Sequence, residues 1–182
     1  KGLMIWNFAS DKNPDIVFAA AGDYLTKESL AAIDILKKIL PHIKMRFVNV
    51  LELSSLGFGN RIRFEDYFTS EKPVIFNYHG YPSDIKQLII KEKNPERFSV
   101  HGYTEHGSTT TPFDMHVRNG TSRYHLVMEA SEILATKDII KKQMAEAIVK
   151  VFNKKIKDHK EYIIQNGVDQ DEIENWQWKK NI

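Results

Sequence analysis

The stretch DIVFAAAGD (residues 15–23) carries an unbroken apolar run from Ile16 to Ala21 and closes on Gly22 and Asp23. A short run without polar alternation, ended by glycine, reads as a strand buried on both faces, as in a parallel sheet. Downstream, TKESLAAIDILKKIL (26–40) sets Leu30, Ile33, Leu36 and Leu40 on one helical face, with Thr26 expected as the N-cap. Pro41 stops that helix, and MRFVNV (45–50) reads as the next strand. Strand, helix and strand in this order predict a right-handed parallel βαβ unit.

The pattern continues along the chain. FEDYF (64–68) reads as a helical turn, KPVIFNYHG (72–80) as a third strand, SDIKQLIIKE (83–92) as a helix and RFSVHGY (97–103) as a weaker strand. TPFDMHVRN begins a short helix closed by Gly120, and SRYHLVMEASEIL (122–134) turns Tyr124, Val127, Met128 and Leu134 inward. Thr136 is expected to cap a long helix over 137–165, stopped by Asn166-Gly167. Its inward stripe is Ile140, Met144, Ala147, Val151 and Phe152, and its outer face is lysine-rich and solvated. A polar tail, 166–182, follows, with Trp176 and Trp178 expected to dock. The expectation is one α/β domain over 1–182, a three-layer sandwich around a mostly parallel sheet of about five strands.

Composition narrows the function. The chain has 182 residues, 42% hydrophobic and 27% charged, with 26 Lys+Arg against 24 Asp+Glu and a net charge of +2. So small an imbalance argues against a nucleic-acid partner. The absence of cysteine excludes disulfides, thiolate nucleophiles and Cys-based zinc sites, and suits a reducing cytoplasm. No apolar run reaches the roughly 20 residues of a membrane span, so no membrane partner is expected. The chain begins at Lys1 rather than methionine, and the expectation is a piece of a longer protein.

Three features invite chemistry. AAAGD lies where open α/β sheets bind ligands, but Gly22 stands alone where a dinucleotide fingerprint needs three glycines. The same residues imitate a thiamine-diphosphate signature through Gly22, Asp23 and Asn49, except that Tyr24 replaces its second glycine. Second, HGYTEHGSTTTPFDM (101–115) gathers His101, Glu105 and His106, a conceivable metal set without helical alignment, and His79 ends the third strand. Hydrogen-bonded structural or interface histidines are the competing reading, extended to His116 and His125 on helices and to His42 and His159 in exposed polar surroundings. Third, GSTTTPFD outlines an anion site at a helix start. Thr111 as N-cap, Pro112 at N1 and Asp114 at N3 instead make a capping-box variant that consumes those donors.

The blocks DIVFAAAGD, LAAIDIL, FVNVLEL, YFTSEKPVIFNYHGYP, VHGYTEHGSTTTPFDM, RYHLVMEA and NWQW together resemble the C-terminal domain of the thiamine-diphosphate-dependent phosphoketolases. The resemblance implies a domain like the transketolase C-terminal one. The intact enzyme would cleave xylulose 5-phosphate, and fructose 6-phosphate, with inorganic phosphate to acetyl phosphate and an aldose phosphate. Thiamine diphosphate and Mg2+ would sit in N-terminal thiamine-binding domains, the domain's partners within a homodimer. It implies no catalytic, cofactor or metal residue in this chain. The residues expected to make interface or anion contacts are His79, Tyr81, His101, Glu105, His106, Ser108, Thr109 and Thr110. A regulatory module binding a phosphorylated metabolite is the alternative. Two departures stand out: His106 occupies a position often acidic in the family, and SSLGFGNRIR (54–63) is a shorter, less polar run.

Overall fold

A computed structural model describes residues 2–57, 63–107 and 109–179. Its strands are β1 (Leu3–Ile5), β2 (Ile16–Ala21), β3 (Met45–Val50), β4 (Val74–Tyr78) and β5 (Phe98–His101). They form one sheet in the order β1-β3-β2-β4-β5. Only β1 runs antiparallel, on β3; the other pairings are parallel. β2 is the centre, and all six of its residues are buried, as the opening stretch predicts. The edge strand β1 comes from the apolar start of the chain, too short to announce itself by periodicity.

The helices are α1 (Asp23–Ile39), α2 (Phe64–Phe68), α3 (Pro82–Ile89), α4 (Pro112–Arg118), α5 (Arg123–Thr136), α6 (Lys142–Asn166) and α7 (Asp171–Glu174). Alternation along β2 divides the interior in two. Ile16, Phe18 and Ala20 face the layer of α1, α5 and α6, while Val17, Ala19 and Ala21 face Phe68 of α2 and Ile85 and Ile89 of α3. Helices cover both faces of the sheet, so the fold is the expected three-layer α/β sandwich.

Three boundaries differ from the sequence reading. α1 starts at Asp23, directly after Gly22, and Thr26 already donates its N–H to the Gly22 carbonyl at 2.9 Å inside the first turn. Thr136 does not cap the long helix: it ends α5, its hydroxyl bonded back to the Glu132 carbonyl. Asp138, at φ 57°, then breaks the chain before α6 begins at Lys142. The tail is not merely polar, because it forms α7, buries Ile173 and leans Trp178 on Phe8 at 5.3 Å. At its start, Gly167 closes α6 in the left-handed conformation expected of Asn-Gly. On the lysine-rich face of α6, Lys142–Glu146, Lys154–Asp158 and Lys157–Glu161 form i,i+4 pairs.

A buried ion pair locks two helices of one layer together. Glu28 of α1 and Arg123 of α5 have side chains 0% and 4% exposed. Glu28 Oε2 accepts from the Arg123 backbone N–H (2.8 Å) and Nε (2.9 Å), and Oε1 accepts from Nη2 (2.6 Å). Nη2 also donates to the Ile173 carbonyl at 3.2 Å, which ties in the tail. Removing one partner strands a charge in a dry site, so Glu28→Leu or Arg123→Met alone is expected to cost about 3–5 kcal/mol of stability. The double substitution is expected to cost less than the sum of the two in urea unfolding; simple additivity contradicts the pairing.

Candidate functional site

In an open parallel sheet the ligand crevice lies at the carboxyl ends of the strands, where successive connections leave in opposite directions. Here α1 leads from β2 toward β3, and α3 leads from β4 toward β5. The switch point therefore falls between Ala21-Gly22 and Tyr78-His79, where the exposed imidazole of His79 stands over Gly22. The His79 Nδ1–H donates to the Ala21 carbonyl at 3.0 Å. Gly22 has φ 113°, and a Cβ there would stand 2.8 Å from His79 Nδ1. Glycine is thus required twice, by its backbone and by the imidazole lying against it.

Beside this point Tyr24 stacks on His116, ring centroids 4.2 Å apart. Burial, reinforced by Glu28 and Asp169, pushes the Tyr24 hydroxyl above its ordinary range. Burial likewise lowers His116, whose Nδ1 lies 2.8 Å from the Thr121 hydroxyl. Next to them the amide of the fully buried Asn77 donates to the Thr121 carbonyl at 3.0 Å. A thiamine-diphosphate cradle does not fit here: the space at Gly22 is taken by His79, and Tyr24 occupies the place of the second glycine.

The loop after β5 wraps the outer side of this edge. Gly102 passes so close to the Gly80 carbonyl that a Cβ would meet it at 2.3 Å, and the Tyr103 N–H donates to that carbonyl at 2.8 Å. Tyr81 and Tyr103 meet edge to face at 5.9 Å. Glu105, His106, Thr109 and Thr110 surround a concavity of about 270 Å³ with Met115 and Arg118. Tyr81 is 53% and Met115 40% exposed, an apolar and aromatic surface with polar surroundings. Ser108 lies outside the described residues. His101 is drawn away from this group: its Nε2 lies 2.6 Å from Glu129 Oε2 and 3.2 Å from the Ser99 hydroxyl, which also donates to Glu129. His101, Glu105 and His106 therefore do not converge, and among the described residues no three His, Asp or Glu side chains form a metal set.

The start of α4 is a cap, as its sequence suggests, with a partner the sequence does not reveal. Thr111 Oγ1 accepts from the Asp114 N–H at 3.4 Å. It also donates to Asp169 Oδ1 at 2.6 Å, and Asp169 Oδ2 accepts the Phe113 N–H at 2.9 Å. Asp114 turns to Thr110 and Arg118 at 2.6 and 2.7 Å. Two carboxylates thus hold the position an anion would take. His159 is a correction to the reading of exposed surroundings: it is 1% exposed, its Nε2 3.1 Å from Asp169 Oδ1, because the tail folds back over the end of α6.

What stands at this edge is a three-layer α/β domain whose switch point carries His79 over Gly22. Residues 1–178 match the family described as XFP C-terminal domain. The chain is 44% identical over 188 residues to a probable phosphoketolase of Brucella abortus (strain 2308), covering 97% of this chain and 23% of that protein. It is 41% identical to a probable phosphoketolase of Chlorobaculum tepidum and 43% identical to probable phosphoketolase 2 of Nostoc sp., over 98% of this chain and 23% of each relative. The chain belongs to the phosphoketolase family, as its C-terminal domain, and spans 23% of the length of these relatives.

Gly22→Ala is expected to cost about 1–3 kcal/mol from the positive-φ backbone alone, and more from the contact with His79. Adding His79→Ala removes the ring contacts but leaves the residue-79 Cβ, 3.0 Å away, and the backbone cost, so the double variant recovers part of the loss. Thermal unfolding of the two variants decides; full recovery, or none, contradicts this packing.

Proposed function

We propose that this chain is the assembly domain of a cytoplasmic phosphoketolase. The intact enzyme converts xylulose 5-phosphate, and fructose 6-phosphate as a second substrate, with inorganic phosphate to acetyl phosphate and glyceraldehyde 3-phosphate or erythrose 4-phosphate. Thiamine diphosphate and Mg2+ belong to its N-terminal thiamine-binding domains, and the enzyme acts as a homodimer. Thiamine diphosphate, where bound, supplies the electron sink for carbon–carbon cleavage. This chain's residues position domains and touch neither cofactor nor sugar. No nucleic acid and no membrane takes part; among the described residues no helix is long and apolar enough to cross a bilayer.

The observation that carries this reading is the contrast at the carboxyl edge. At the switch point His79 stands over Gly22, while the surrounding loops and α4 leave Tyr81, His106 and Met115 exposed and Tyr103 half-buried. Exposed tyrosine, methionine and arginine around a small concavity are the composition of a protein interface rather than of a phosphate site. The alternative of a phosphorylated-metabolite sensor loses its best location, because Asp169 and Asp114 already occupy the start of α4.

Complementation in trans tests the proposal. Phosphoketolase lacking this domain is expected to regain xylulose 5-phosphate cleavage when the chain is added. Tyr81→Ala is expected to weaken that restoration by roughly tenfold or more, while Glu105→Ala, at the rim, changes it little. Turnover by the chain alone, or restoration indifferent to Tyr81, contradicts the assembly reading.

A further inference from the structure

A second surface, on the opposite flank of the α1 layer, is built to be covered. α1 and α6 each pack on α5 but make few contacts with each other. A trough of about 560 Å³ is left between them, closed at one side by Ile173 and Trp176. Its floor includes Tyr124, Ile148 and Phe152, all buried. Its walls carry large apolar side chains open to solvent: Ile39 of α1 is 41% exposed, and Met144 and Val151 of α6 are 44% and 54% exposed. Met144 and Val151 belong to the stripe that periodicity assigns to the core. The apolar face of α6 is therefore wider than the domain itself can bury, with Met144, Ala147, Ile148 and Val151 at the i, i+3, i+4, i+7 spacing of a helix–helix seam.

We propose that this trough receives an amphipathic helix from the remaining portion of the phosphoketolase chain. The rest of the polypeptide is available to supply it, because the chain spans 23% of its relatives' length. The rim carries Lys38 and Lys155 with Asp34 and Glu172, both signs in equal number, which draws in no small ion. An apolar floor with a mixed-charge rim is what a helix-in-groove contact requires, with apolar anchors facing inward and charged residues at the edges. This inference rests on family membership and does not depend on the carboxyl-edge loop being an interface.

Hydroxyl-radical footprinting of the full-length phosphoketolase, read by mass spectrometry, tests it. In the full-length protein Met144 is expected to oxidise far more slowly than an exposed methionine of a short peptide, because a packed interface core excludes solvent. Val151→Glu at the centre of the seam, or Ile39→Lys on the facing wall, is expected to abolish that protection. Ile164→Glu, 75% exposed and outside the trough, leaves it intact. Oxidation of Met144 at the exposed rate overturns the proposal. Protection that survives both seam variants overturns it as well. Protection that fades on dilution assigns the trough to a second copy and equally overturns it. Footprinting reports coverage and not turnover, so an inactive but docked enzyme still decides this point.

Discussion

A carboxylate and a guanidinium withdrawn from water must satisfy each other, and Glu28 and Arg123 do so from positions 95 residues apart. Three donors of one residue converge on two oxygens of the other, and the guanidinium lies 5.6 Å from the ring centres of both Phe113 and Trp176. The pair fixes α1, which leaves the central strand, relative to α5, and reaches the tail through the Ile173 carbonyl. Such a pair adds little net stability over an apolar substitute, yet breaking it is costly. What it does in the fold is tie α1, α5 and the tail to one another. The trough between α1 and α6 and the seat of the tail depend on where α5 sits.

The same layer decides what the carboxyl edge does. An open parallel sheet offers a crevice at its switch point, and many domains of this architecture put a ligand there. In this chain His79 lies on Gly22, and Tyr24 meets His116 instead of leaving room for a diphosphate. At the neighbouring helix start, Asp169 takes the N–H of Phe113, and Asp114 takes Thr110 and Arg118. Buried groups that already have partners offer little to a ligand, because binding would break one contact to make another. The surface left for recognition is the outer rim of the loops.

Elements whose signal is local could be read from the sequence, and contacts at long range could not. The run Ile16–Ala21 announces a central strand because burial on both faces removes polar alternation. Pro112 and Thr111 announce the start of α4 because capping is a matter of neighbouring residues. By contrast, nothing near Glu28 marks it as a buried acid, since its partner comes from the other half of the chain. His159 looks exposed among lysines, and only the returning tail buries it. The break at Asp138 leaves no local mark, because apolar spacing continues across 137–141 while the backbone leaves the helix. At the candidate site, the sequence groups His101 with Glu105 and His106, but strand β5 turns His101 toward Glu129 on α5. Of the remaining candidates, Glu105, His106, Thr109 and Thr110 do share one concavity.

The central claim is that the switch point of this chain, where His79 stands over Gly22, is not a ligand site. Titrating the chain with thiamine diphosphate and Mg2+, and separately with inorganic phosphate, while following the NMR signals of Gly22, Tyr24 and His79, tests it most directly. The account predicts no saturable shift at these residues at millimolar ligand. Saturable shifts at Gly22 and His79 would show a crevice that opens to ligand, and would contradict it.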